Sequence, residues 1–358
     1  MSRTLTWLAP VGAGRLDRCL AEAFPDLSRA RIQALIAEGS VTLDGVPAKA
    51  SARPGVGERV DLVVHDATST DVLPEDIPLH LLHEDDDLLV LVKPAGMVVH
   101  PAAGHPSGTL VNALLGRYGR LSSIGGELRP GIVHRLDGGT SGVMVVARND
   151  VAHRTLSSMF AAHDLDRRYL ALVHRVPIHD SGVLESYLDR DPDNRLKVAS
   201  VKAPPVILNA ADEAWVPRIG EEDDLDEEDD NAPPTRKVRR GRRALTRWRC
   251  HARGDRVALV EAKLETGRTH QVRVHLSEAG HPLLGDTAYA RRECVAPALL
   301  RPRVDALVGR PLLHAWHLGF AHPRTGEPLR FSEPPPADFM EIAALAGLAV
   351  PATVGVWK

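Results

Sequence analysis

The sequence predicts an α+β protein with a small N-terminal unit and a larger second domain, and three observations lead there. Short apolar runs such as "DLLVLVKP", "GVMVVA", "RYLALVH" and "RVALVEAKL" have the length and β-branched content of buried strands. Helical spacings fall between them without the regular strand–helix alternation of a parallel sheet. The stretch "VHDATSTDVLPEDIPLH", rich in Asp, Pro, Ser and Thr, has linker character. The expected divisions are a first unit over 1–65, a linker over 66–80, a main domain over 81–340 and a tail over 341–358.

In the first unit Leu16, Leu20 and Ala23 recur at helical spacing and stop ahead of Pro25. Ser28 can cap a second helix with apolar positions Ile32, Leu35 and Ile36, and Gly39 ends it. "SVTLDGVPA" then reads as a strand, an Asp-Gly turn and a short strand. In the main domain, "VAHRTLSSMFAAH" puts Ala152, Leu156, Met159, Phe160 and His163 on one helical face. The strand pattern up to Leu264 turns at Glu265, Thr266 and Gly267. A helix follows with Val272, Leu276 and Ala279 inward and Gly280 as its stop. The apolar tail "IAALAGLAVPATVGVW" is too short to span a bilayer and is broken by Pro351, so it predicts a helix packed on the core.

The chain has 358 residues, 44% hydrophobic and 25% charged, enough for a sizeable core. Its net charge of −3 is unevenly spread. "EEDDLDEEDD" holds nine acids and "RKVRRGRR" six bases, so these two blocks account for the whole excess and the rest of the chain balances. Arg129–Arg175 carries seven Arg against four Asp, a local field able to steer an anionic partner. Residues 218–243 combine the two blocks with Pro233-Pro234 and almost no apolar content, which predicts a disordered loop. Three widely spaced cysteines suggest neither a disulfide framework nor a cysteine-rich zinc site. The opening stretch holds no apolar run of signal-peptide length, and a cytoplasmic location is expected.

The stretch "GIVHRLDGGTSGVMVVARND" sets Asp137 at a glycine-rich bend before a buried strand. Such a bend can present a carboxylate at the end of a rigid sheet, with Gly138 and Gly139 admitting a ligand. The same acid could equally cap its own turn. Arg268, between a strand and a helix, could pair with a buried carboxylate and keep it ionised. Tyr169 could stack on a planar substrate or be an ordinary core tyrosine. His314 and His317 in "HAWH" lack a third ligand at supporting spacing, so no metal is expected. Asp85-Asp86-Asp87 reads as a solvated turn.

Taken in order, "HRLDGGTSG", "RRYLALV" and "LETGRTHQVRVHL…GHPLLGDTAYA" resemble the RluA-type pseudouridine synthases. "KPAGMVVHPAAGHPSGTLVNALL" is similar to the RluD branch, which modifies large-subunit rRNA. The residues after Gly14 resemble an S4 RNA-binding domain. The resemblance implies a mixed, mainly antiparallel catalytic sheet behind an S4 unit, with structured RNA as partner, no cofactor, no membrane and a monomeric state. It implies that Asp137 is the catalytic carboxylate and that Tyr169 packs on the target uracil and helps remove the C5 proton. Arg268 would pair with Asp137, Arg135 would fill the gap left by the flipped nucleotide, and His134 would support the backbone beside the RNA. Arg15, Arg29, Arg31 and Lys49 would meet phosphates. The reaction breaks N1–C1′, rotates the uracil and rejoins it through C5.

The chain departs from the family pattern at Gly138-Gly139, where Lys-Asp is usual, and at Arg175, where glycine is common. The glycine pair suggests a more mobile turn. Two other functions stand beside the enzyme: a non-catalytic RNA-binding or ribosome-assembly protein, and a carboxylate hydrolase of a glycosidic bond. Within the enzyme reading, tRNA is the alternative target. The hydrolase needs a second placed acid.

Overall fold

The structure, a computed structural model, describes residues 2–24, 27, 29–65, 72–102, 104–119, 121–122, 124, 129–192, 194, 197–201, 206–209, 241–290, 294–307, 309–355 and 357. The acidic block, and the basic block up to 240, lie outside them, as does Ser28. The chain divides into two compact units, Met1–Asp71 and Val72–Lys358.

The first unit comprises β1 (Ser2–Leu8), α1 (Leu16–Ala23), α2 (Arg29–Ala37), β2 (Val41–Leu43), β3 (Val46–Pro47) and β4 (Arg59–His65). Its strands form one sheet in the order β1-β4-β2-β3. Leu16, Leu20, Ile32, Leu35 and Ile36 pack from the helices onto Val41, Val60 and Leu62. Asp44 and Gly45 have left-handed φ values of 46° and 82°, as the two-residue hairpin between β2 and β3 requires. Asp17, fully buried, accepts from Arg15 at 3.1 Å and from Gln33 at 2.7 Å, which ties α1 to α2.

The second unit holds β5 (His80–Glu84), β6 (Leu88–Lys93), α3 (Leu110–Tyr118), β7 (Ser141–Ala147), α4 (Asp150–Ala161), β8 (Asp166–His174), β9 (Ser181–Arg190), β10 (Val198–Ser200) and β11 (Val206–Asn209). It continues with β12 (Arg242–Arg253), β13 (Val257–Leu264), α5 (Gln271–Glu278), the short α6 (Arg301–Asp305), β14 (Leu313–Ala321), β15 (Pro328–Ser332) and α7 (Ala337–Leu345). The described strands form an eleven-stranded sheet, β10-β9-β12-β13-β8-β14-β7-β6-β5, with β11 on β9 and β15 on β14. Every pairing is antiparallel except β14 with β7, where His314 faces Ser141 and Ala315 faces Gly142.

Alternation along β8 sorts the sheet's two sides. Leu170 and Leu172 pack with Trp316 and with Phe339 and Ile342 of α7. Ala171 and Val173 pack with Val272 and Leu276 of α5. Tyr169 therefore shares the α5 side. The tail helix belongs to this core and begins at Ala337, so the expected division at 340 falls inside α7. The expected loop over 218–243 likewise runs into β12, because Arg243 pairs with Glu185 across the ladder at 2.6 Å. His163 lies past the end of α4 with φ 58°, off the helical face assigned to it. Asp85–Asp87 is not simply solvated: Asp85 accepts from the backbone of Asp87 and Leu88, and Asp87 is buried against Arg324 and Asn149. Arg175 occupies its glycine-favouring place with φ 60°, a left-handed conformation that costs about 1–2 kcal/mol outside glycine.

Several histidines are locked in the core. His275 of α5 bonds to Ser186 and Thr246, each at 2.9 Å. His314 bonds to Ser141 and to the Glu333 carbonyl, also at 2.9 Å. Burial pushes both pKa values down to about 4. The fold holds these rings neutral, so below about pH 6.5 the unfolded chain binds protons that the folded chain refuses, and stability falls towards pH 4. Thermal unfolding at about pH 5 should therefore have a lower midpoint than at about pH 7.5, and His275→Gln should narrow the gap. A gap of unchanged width would show that His275 does not titrate on unfolding.

Candidate active site

Asp137 stands in the turn just before β7, at the parallel seam of the sheet. The Asp137 carbonyl accepts from the Thr140 amide at 3.0 Å, closing the turn. Gly142 has φ 127°, and a Cβ there would lie 2.2 Å from the Ala315 carbonyl oxygen, so only glycine lets β14 approach β7 this closely. A Cβ on Gly139 would meet Pro311 Cδ at 2.8 Å. Gly139 is thus packed from behind. Below it Lys93, fully buried, donates to the carbonyls of Pro94 (2.7 Å), Met97 (2.8 Å) and Gly138 (3.3 Å). Burial pushes the Lys93 pKa down to about 7, against the pull of the Asp137 charge.

Asp137, Tyr169 and Arg268 line one partly open cleft of about 360 Å³, with Arg135 at its exposed rim and His270 and Arg273 on the α5 side. Asp137 is the one carboxylate among the lining residues. Its ion-pair partner differs from the expected one. Arg273 Nη1 donates to Asp137 Oδ2 at 3.2 Å, whereas Arg268 Nε donates to the Arg243 carbonyl at 3.0 Å. Arg268 precedes α5 and turns towards β12; Arg273 lies on the helix's first turn and reaches the start of β7. The rest of the Arg273 fork is held by Asp286, Nε to Oδ2 at 2.7 Å and Nη2 to Oδ1 at 2.9 Å. Burial opposes the Arg273 charge, yet the bonds and charges of Asp286 and Asp137 raise its pKa.

Gln271 fastens the start of α5. Its Oε1 accepts from Thr266 (2.7 Å) and from the Arg268 amide (3.0 Å), and its Nε2 donates to the Leu245 carbonyl (2.9 Å). His270 caps the helix with φ 58°. The Tyr289 hydroxyl accepts from the Val198 amide at 2.8 Å, which leaves its hydrogen for His270 Nδ1, 2.8 Å away. The imidazole proton then sits on Nε2, 3.8 Å from Asp137 Oδ2. Burial lowers the His270 pKa, and Asp137 works the other way. Burial raises that of Tyr169, against the pull of the Arg167 charge and with a smaller push from Asp137, so its phenol is protonated at neutral pH.

Other expected contacts fall elsewhere. His134 is half-buried: its Nε2 accepts from the Val145 amide at 3.1 Å, and its ring stacks on Phe160 at 4.5 Å. Burial, helped by Arg167, pushes its pKa down to about 3. This ring braces β7. Arg15 is engaged by Asp17, Lys49 is exposed, and the side chains of Arg29 and Arg31 lie outside the described residues. Asp85, Asp87 and His322 come within metal-binding reach of one another, but their ligand atoms are already engaged within this network by His83, Arg324, Asn149 and backbone amides. Arg273, Asp286 and His270 were missed from sequence. "GRTHQVR" offers two arginines, and only the helix start between them shows which faces the acid.

The chain belongs to the RNA pseudouridylate synthase family, whose pattern matches residues 87–278; an S4 domain matches 14–60. An uncharacterized RNA pseudouridine synthase of Aquifex aeolicus is 39% identical over 92% of both chains. The ribosomal large subunit pseudouridine synthase D of Xanthomonas campestris is 40% identical over 92% of this chain and 87% of its own. The solved human RNA pseudouridylate synthase domain containing 4 shares the fold, with a TM-score of 0.55 at 23% identity, covering 76% of this chain and 94% of that one.

If Arg273 orients the acid, Arg273→Lys should lower turnover at least about tenfold, because a point cation cannot serve both carboxylates. Arg268→Lys should cost less. Tritium release from C5-labelled uridine in RNA measures both, and the reverse order would return the pairing role to Arg268.

Proposed function

We propose that this pseudouridine synthase acts on uridines of large-subunit rRNA and that Asp137 is its catalytic carboxylate. The observation that carries this reading is Asp137, the single acid among the described residues lining the cleft, aimed by Arg273 and set beside Tyr169. A nucleophile must be ionised and fixed, and an arginine bridging two carboxylates does both. Asp137 displaces N1 from C1′, the freed uracil turns, and C5 then takes C1′ from the carboxylate, so the bond to Asp137 breaks as C5–C1′ forms. The C5 proton leaves and N1 gains one, so RNA mass and oxidation state do not change and no redox cofactor is needed. Tyr169 supplies an apolar face for the flipped base. Because its phenol is protonated, it relays the C5 proton only by passing its own onward.

Flipping costs a few kcal/mol, which contacts to the rest of the RNA must offset. The S4 unit with Lys49, and Arg135 at the rim, are suited to that task. The relatives' names support rRNA over tRNA as the target, and the reading carries a monomeric, cytoplasmic enzyme with it. Asp137 alone cannot provide the acid–base pair of a glycosidase, since Asp286 is buried and held by the Arg273 fork.

Asp137→Asn preserves shape and turn bonds but removes the charge. Turnover should fall at least about a thousandfold while RNA binding persists, because phosphates supply most of the affinity. Tritium release and a binding titration, each on large-subunit rRNA and on tRNA transcripts, check this. Release at a near wild-type rate by Asp137→Asn would remove the assignment. Faster turnover on tRNA would move the substrate.

A further inference from the structure

Among the described residues no carboxylate pairs with Arg167, a buried cation. It is 7% exposed. It lies on β8 two residues before Tyr169, and so on the same side of the sheet as the cleft. Leu264 and Arg268, which flank the turn that Arg167 touches, both line that cleft. Its Nη2 makes one long contact, 3.5 Å to the Glu265 carbonyl, and its Nε is enclosed with no partner. Nη1 makes no hydrogen bond among the described residues and is not among the enclosed orphan atoms. The Glu265 carboxylate does not help, because it is engaged by Arg247.

The surroundings hold this guanidinium in place without neutralising it. It lies over the Phe160 ring at 5.5 Å, and Phe160 stacks on His134 from the catalytic turn. The Gly267 turn packs closely against it: a Cβ there would lie 2.6 Å from Nη1, so a side chain at that position would displace the guanidinium. An enclosed charge with unmade hydrogen bonds is costly to a folded protein unless a ligand completes it. The cleft itself is lined by Arg135, Arg268 and Arg273 against the single carboxylate of Asp137, an excess of positive charge that favours an anion. Nη1, the arm neither enclosed nor bonded, is left to meet a phosphate oxygen, and the side chain's rotamer freedom is already spent before binding.

We propose that Arg167 is a phosphate-binding residue that receives an RNA backbone phosphate flanking the flipped uridine. The proposal rests on the chain's action on RNA. It adds a contact beside the base pocket that draws the backbone in as the base leaves its stack.

The test uses the full chain with Arg167→Met and Arg167→Lys, and three readouts: thermal unfolding, the slope of log affinity against log salt, and KM with kcat from tritium release. Arg167→Met should lower the salt slope by about 0.7–0.9, the share of one phosphate, and raise KM about tenfold or more, with kcat changed only a few-fold. Its melting midpoint should stay level or rise, because an apolar side chain of similar length replaces an unpaired buried charge. Arg167→Lys should keep most of the slope. The proposal is overturned if the Met variant keeps the wild-type slope and KM, or if it unfolds or melts several degrees lower with the slope unchanged, either of which marks Arg167 as structural. Failure of the RNA reading looks different: wild type itself would release no tritium.

Discussion

The arrangement depends on one guanidinium shared by two acids. Asp286 takes two arms of the Arg273 fork and accepts the amides of Ala288 and Tyr289, so it is saturated inside the protein. Only the third arm is left for Asp137. A buried network of this kind adds little net stability, since desolvation offsets most of the attraction. What it provides is direction. Asp137 has a preferred oxygen position before any substrate arrives, and that position is set by α5, a different element from the one that carries the acid.

Two independent supports bring α5 and the Asp137 turn together. Gln271 and His275 tie the helix to β12 through Leu245 and Thr246. The parallel seam between β7 and β14 ties the turn to the middle of the sheet. Lys93 fills the space beneath with three carbonyl contacts and no carboxylate. Such preorganisation lowers the reorganisation that charge development would otherwise demand.

Much of this was legible in the chain. The strand runs, the second helix of the first unit and the Asp-Gly hairpin follow from periodicity and turn chemistry, both local properties. The grouping of Asp137, Tyr169 and Arg268 followed from motif resemblance. The choice of Arg273 over Arg268 did not, because it depends on where α5 begins and which side of it faces β7. The place of His134 depends likewise on folded contacts, since its ring meets Val145 and Phe160 only once β7 and α4 are in place. The limits of β12 and α7 were not legible, because composition marks where apolar content changes, while pairing and packing across the sheet decide where elements end.

Gly139 and Pro311 have a consequence for how this turn can evolve. A side chain at Gly138 would meet Val98 at an ordinary 3.4 Å, so that position is free to vary alone. At Gly139 a side chain is blocked while Pro311 stays in place. Positions 139 and 311 are therefore epistatic. A side chain introduced at 139 alone would be strained, and one introduced together with a smaller residue at 311 would be relieved.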